Sequence, residues 1–135
     1  MGYWKDSLLT GVPQMDKEHR KLVEAIDKLM DACQQGKGRD IVGEILSFTV
    51  SYAKQHFKDE EQLQAKYSYP GMEAHKQIHA KFLDDVTVLV REFDQTGPSI
   101  TLTGKLNKAL VSWLISHISG EDRKLGEFIK KSAKI

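Results

Sequence analysis

The chain has 135 residues, 29% of them charged, and a formal net charge of +1. That length suits one domain, residues 1–135, with room for a buried core. The balanced charge offers no basic or acidic surplus, so neither nucleic acid nor a membrane surface is an expected partner. The opening residues lack the apolar run of a secretion signal, and the apolar-leaning stretches at 45–53 and 109–120 are too short to cross a bilayer. Cys33 is the single cysteine, which excludes a disulfide within the chain and fits a reducing, cytoplasmic setting.

Residues 1–14 read as an extended arm, with Tyr3, Trp4, Leu8 and Leu9 available for packing and Gly11-Val12-Pro13 blocking an early helix. From Met15 the spacing of His19, Leu22, Val23, Ile26, Leu29, Met30 and Cys33 predicts one helix face. The run from Gln34 to Gly38 stops it, and Asp40 is placed to cap a second helix. That helix carries Ile41, Ile45, Leu46, Thr49, Tyr52, Ala53, His56, Glu60, Leu63 and Tyr67 on its expected core side. Tyr69-Pro70-Gly71 breaks the chain before a third helix with Met72, His75, Ile78, His79, Phe82, Val86, Leu89, Val90 and Phe93. After Thr96-Gly97-Pro98-Ser99, a fourth helix runs through Leu102, Leu106, Leu110, Trp113, Leu114, His117 and Ile118 to Gly120. A short amphipathic helix with Leu125, Phe128 and Ile129 closes the chain. The fold class is therefore all-α, an up-down-up-down four-helix bundle with an N-terminal extended arm and a short C-terminal helix.

All five histidines, His19, His56, His75, His79 and His117, fall where the helical period asks for core residues, and Glu60 does so one turn after His56. A lone histidine on an apolar face is more often a satisfied core residue than a ligand. Here topology argues otherwise. His19 starts the first helix, His56 and Glu60 end the second, His75 and His79 start the third, and His117 ends the fourth. Antiparallel neighbours joined by short turns bring those four places to one end of the bundle. Residues four apart share a helix face, so His75 with His79, and His56 with Glu60, can each grip one ion. Asp122, five after His117, is rotated off that face on a regular helix, and Gly120 between them allows a local unwinding.

Nitrogen and oxygen ligands without thiolate point away from structural zinc and from calcium or magnesium, and toward iron, manganese, zinc or copper. Seven side chains are too many for one ion, so two metals are implied. With both carboxylates and one oxo or hydroxo group bridging two octahedral ions, one coordination position is left over, and a small diatomic molecule could take it.

Taken together these residues resemble the hemerythrin family, specifically bacterial single-domain hemerythrins and the hemerythrin domains of bacterial sensors. The resemblance runs from Trp4 to about Phe128: Trp4, Gly11-Val12, Asp16-Lys17-Glu18-His19, His56-Phe57-Lys58-Asp59-Glu60-Glu61, Tyr69-Pro70, His75 and His79 with Phe82, and His117 with Asp122. It implies two iron ions in an oxo- or hydroxo-bridged diiron centre. His75, His79 and His117 would hold one iron, His19 and His56 the other, with Glu60 and Asp122 bridging. It further implies that dioxygen binds at the iron with two histidines, inside an apolar oxygen pocket of Phe57, Trp113, Leu114 and Ile118. Gln64 departs from the methionine frequent in the family and is expected to face solvent. Glu18, where glutamine is common, is expected to be an exposed and neutral change.

The function this implies is reversible dioxygen binding for carriage, storage or sensing, without enzymatic activity. Sensing calls for an output module, of the kind joined to sensor and chemotaxis proteins; if the chain is an excised domain, that module lies outside it. The alternative is a diiron redox enzyme, a peroxidase, oxidase or nitric-oxide-handling protein. The low carboxylate share disfavours it, because ferritin-like oxidases use a carboxylate-rich shell. A metal-free interaction bundle is the third reading, and it would leave stability indifferent to chelators.

Overall fold

The computed structural model describes residues 3–133, the side chain of Ala133 excepted. The first two residues of the expected arm, and the last two of the expected 1–135 unit, lie outside the described residues. A 3-10 turn at Asp6–Leu8 interrupts the arm expected to be extended, and three regular helices follow it: α1 (Pro13–Gln34), α2 (Arg39–Lys66) and α3 (Met72–Thr96). Pro13 occupies the first helical position, where its missing N–H costs nothing, so α1 begins two residues before Met15. The fourth rod is composite: α4 (Ile100–Leu106), a π-helical segment (Asn107–Ser112), α5 (Trp113–His117), a second π-helical segment (Ile118–Asp122) and α6 (Arg123–Ala133). Ser99 caps its start by accepting a hydrogen bond from the Leu102 amide. α1 packs on α2, α2 on α3, α3 on α4 and α4 back on α1, which closes the all-α four-helix bundle. Among the described residues there is no strand, and no helix is long and apolar enough to cross a membrane.

The composite rod has a cause in the sequence. Leu102, Leu106, Leu110, Leu114, Ile118 and Asp122 recur every four residues, and none is more than 2% exposed. A regular α-helix has about 3.6 residues per turn, so a strict four-residue repeat drifts by about 40° at each step. Left uncorrected, that drift would carry the string from the core to solvent. π-type turns, whose hydrogen bonds reach five residues back, absorb it; the Arg123 amide, for one, reaches the Ile118 carbonyl. The expected C-terminal helix is present as α6, continuous with the residues before it.

The arm is fastened to α1 and lies against α6. The Asp16 carboxylate accepts hydrogen bonds from the Thr10 amide (2.7 Å), the Thr10 hydroxyl (2.8 Å) and the Gly11 amide (3.1 Å). Farther along, the Tyr3 amide donates to Asp27. Gly126 of α6 lies so close to Thr10 that a Cβ there would sit 2.8 Å from the Thr10 carbonyl oxygen. One helix face differs from expectation. On α2 the buried positions are Val42, Leu46, Thr49, Ala53, His56, Phe57, Glu60 and Gln64. Ile41, expected in the core, is instead 49% exposed, because the neighbouring Val42 fills the inward position.

Candidate metal centre

The bundle gathers His19 from α1, His56 and Glu60 from α2, His75 and His79 from α3, and His117 and Asp122 from the fourth rod into one buried layer. Each of the seven is 5% exposed or less. Asp122 reaches it through the second π segment. Five residues along an α-helix overshoot a full turn by about 140°, whereas in a π turn residue five returns beneath the first. Asp122 Oδ1 accordingly lies 3.1 Å from His117 Nε2. The unwinding expected at Gly120 thus takes the form of a π segment with helical dihedrals at its flanks.

The potential ligand atoms fall into two overlapping sets. Glu60, His75, His79, His117 and Asp122 form one, and His19, His56, Glu60 and Asp122 the other. Each carboxylate splits its oxygens between them. Glu60 Oε1 faces Nε2 of His75 (3.1 Å) and His79 (3.2 Å), while Oε2 faces Nε2 of His19 (3.2 Å) and His56 (3.1 Å). Asp122 Oδ1 faces His75 (3.0 Å) and His117, while Oδ2 faces His19 (3.0 Å). Each carboxylate thus faces both sets at once.

The cluster fits metal ions better than it fits itself. His56 Nε2, Glu60 Oε1 and both Asp122 oxygens have no hydrogen-bond partner despite these short approaches. Uncompensated burial of such groups is expensive. His117 Nε2 sits 3.2 Å from both His75 Nε2 and His79 Nε2, so three nitrogens crowd one point. Adjacent ligands on a six-coordinate first-row ion with bonds of about 2.1 Å lie about 3.0 Å apart. The spacing is that of ligand atoms around a cation.

Outer carboxylates hold the imidazoles. His56 Nδ1 donates to Glu18 Oε1 at 2.9 Å, and His79 Nδ1 donates to Glu61 Oε2 at 3.2 Å. A proton fixed on Nδ1 leaves Nε2 free to face the centre. Glu18 is therefore neither exposed nor neutral in role. Burial works against its charge, yet its contacts with His56 hold its carboxyl below the ordinary value. Neither glutamate could be singled out in the sequence, since only the packing of α1 on α2 and α2 on α3 chooses among nearby acids. Gln64 also differs from expectation: it is fully buried, and both ends of its amide lack a partner. It lies one turn beyond Glu60, on the inward side of α2.

Charges inside the layer are strongly coupled. Burial opposes ionisation of Glu60, but contacts with His19, His56, His75 and His79 hold it well below the usual range. Burial and the Glu60 charge oppose ionisation of Asp122, and contacts with His117, His19 and His75 nevertheless bring it down to about 2. Burial disfavours charge on His56, and Glu18 and Glu60 overcome it, raising the imidazole to about 10. His75 is raised to about 9 against burial by Asp122 and Glu60.

Of the expected oxygen-pocket residues, Phe57, Leu114 and Ile118 are buried and Trp113 is half-buried. Phe57 stacks on His79 with centroids 3.9 Å apart, and Trp113 stacks on His117 at 4.5 Å. Leu114 borders an apolar cavity of about 10 Å³ shared with Leu22, Ala53, Phe82 and Leu110, about the space of one water.

Three outcomes follow from the layer and the amide beside it. Metal ligation needs unprotonated Nε2 atoms, and contacts with the buried carboxylates favour protonated His56 and His75 in the metal-free chain at pH 7, so metal uptake there releases protons. Calorimetry of metal binding in buffers of different ionisation enthalpy will detect them; equal heats in all buffers would refute it. In the same metal-free chain, the stability from the raised histidines is complete below their ordinary 6.5 and is lost as pH rises through about 9 to 10. That from Asp122 is complete above 3.8 and is lost as pH falls through about 2. Replacing the orphaned amide by Gln64→Met should raise stability by about 1–3 kcal/mol, read as a higher melting temperature. An unchanged or lower melting point would show that Gln64 has a partner in solution.

Comparison with known proteins agrees with this geometry. The family described as the Hemerythrin HHE cation binding domain matches residues 10–129. A bacteriohemerythrin of Stenotrophomonas maltophilia is 34% identical over 127 residues, 94% of this chain and 80% of the relative. One of Pseudomonas aeruginosa is 38% identical over 120 residues, 88% of this chain and 75% of the relative. The myohemerythrin of Theromyzon tessulatum is 28% identical over 123 residues, covering 90% and 88%. The crystal structure of a hemerythrin leucine-to-alanine mutant matches with a TM-score of 0.80 at 26% identity, covering 93% of this chain and 95% of that one. With a family match across most of the bundle, and a carboxylate-linked histidine layer inside it, the chain belongs to the hemerythrin family of cation-binding domains.

Proposed function

We propose that the chain, acting as one domain over residues 1–135, binds dioxygen reversibly at two non-haem irons held by His19, His56, Glu60, His75, His79, His117 and Asp122. The unequal ligand sets carry this reading. Five side chains surround one position and four the other, so with one shared oxygen bridge iron held by His19, His56, Glu60 and Asp122 would keep a vacancy that the other set would not. Iron bound there in the reduced state would supply the two electrons that dioxygen takes on binding.

The chain's own residues make that reversible. Glu60 and Asp122 compensate the positive charge in the buried layer and link its halves. Glu18 and Glu61 keep the Nδ1 protons of His56 and His79 in place, which fixes ring orientation. Phe57, Leu114, Ile118 and the inner edge of Trp113 keep water, and the protons it brings, from the vacancy. This is a binding site, not an enzyme's: five imidazoles and two carboxylates leave little of the anionic shell that oxidising diiron enzymes use. The roles open to it are carriage, storage and, when joined to an output module, sensing. A cytoplasmic setting is favoured by the lone, half-buried thiol of Cys33.

Iron analysis with spectra of the reduced protein before air, in air and after oxygen removal tests the reading. Two irons per chain and a visible band that comes and goes with oxygen are expected; one iron per chain, or irreversible oxidation on first contact, would overturn it. Within the pocket, Leu114→Asn should speed spontaneous oxidation of the oxygenated form by about tenfold or more. A decay rate equal to the parent's would remove Leu114 from the water barrier.

A further inference from the structure

Two of the three histidines in the five-residue set lie flat against aromatic rings, and one of those rings reaches the surface. Phe57 stacks on His79 at 3.9 Å and 10°, and Trp113 stacks on His117 at 4.5 Å and 12°. Phe82 stacks in turn on Trp113 at 4.1 Å and 23°. Trp113, half-buried, is a wall of an open groove of about 390 Å³, shared with Leu89, Lys105 and Lys108 between α3 and the fourth rod. A single ring thus separates this groove from the imidazole of His117. Among the described residues no comparable face-on stack serves the other set: His19 and His56 meet edge to face at 4.6 Å. Tyr69 approaches His75 only at 6.4 Å and 70°.

We propose that Trp113 is the relay through which an external one-electron donor, placed in this groove, reduces the oxidised centre by way of His117. The inference rests on the diiron reading. A centre that takes up dioxygen only when both irons are ferrous is silent after oxidation, so recovery needs two electrons. Each of two donors loses one electron, each ferric ion gains one, and no bond in the protein forms or breaks. The groove meets the centre on the His117 side, whereas His19 and His56 belong to the other set. A donor in the groove reaches the outer face of Trp113 without displacing Leu114 or Ile118.

The test is stopped-flow reduction of the diferric protein by reduced methyl viologen. Trp113→Leu should be reduced about tenfold more slowly than the parent, whereas Trp113→Phe, which keeps a ring on His117, should lose far less. Tyr69→Leu serves as a control for general loosening and should match the parent. A second readout needs no oxygen chemistry: with Trp4→Phe as background, Trp113 is the sole indole, and its emission should be strongly quenched in the ferric protein relative to the zinc-loaded one. A parental rate in Trp113→Leu, equal slowing in Trp113→Leu and Tyr69→Leu, or equal emission with iron and zinc would each overturn the proposal. If Trp113→Leu does not retain iron, Trp113→Phe and the emission comparison decide. Iron content and the oxygen-dependent band are followed in parallel. Their persistence alongside a parental reduction rate refutes the relay alone; their absence from the parent refutes the diiron reading itself.

Discussion

Two carboxylates and five imidazoles sealed away from water are the constraint around which this bundle is built. Burying an ionised carboxylate costs several kcal/mol, roughly, unless opposite charge and hydrogen bonds stand close by. Glu60 and Asp122 meet that need by facing histidines on both sides of the layer, each oxygen serving a different set. Without metal, protons on the histidines provide the compensating charge, which is why His56 and His75 are raised so far. Metal ions would displace those protons and supply the positive charge in their place. Protons and cations therefore compete for the same seven groups.

The backbone adapts to this layer as much as the layer to the backbone. α1, α2 and α3 offer their share of the layer from regular helical positions, but the fourth rod cannot present both His117 and Asp122 at α-helical pitch. Its two π segments keep a four-residue apolar string against the core and turn the aspartate under the histidine. The arm sets the other boundary. Asp16, three residues before His19, anchors Thr10 and Gly11, and Thr10 meets Gly126 of α6. The start of α1 and the first turns of α6 are thereby held against the arm.

Around the ligands, the surroundings differ by side. Glutamates orient His56 and His79 through their outer nitrogens, while aromatic rings brace His79 and His117 across their faces. Leu114 and Ile118 contribute neither charge nor hydrogen bonds and make the adjoining wall dry. Gln64 is the exception, an amide in a fully enclosed position with nothing to bond. A polar residue in such a place either costs stability or marks an ordered water.

Much of this was legible in the chain itself. Helical spacing placed all five histidines and Glu60 inward, short turns set the antiparallel order, and together these brought the six to one end of the bundle. Those features are local periodicities and connection lengths, and such patterns survive translation into a one-dimensional string. Asp122 needed more, because its place depends on π turns whose traces are the strict repeat from Leu102 to Ile118 and the glycine at 120. Contacts between helices left no trace of that kind. The reach of Glu18 to His56, the burial of Gln64, the inward turn of Val42 in place of Ile41, and the stack of Trp113 between a groove and His117 all depend on how helices rotate against one another. Rotation is settled by packing the whole core at once, so only the folded structure could decide it.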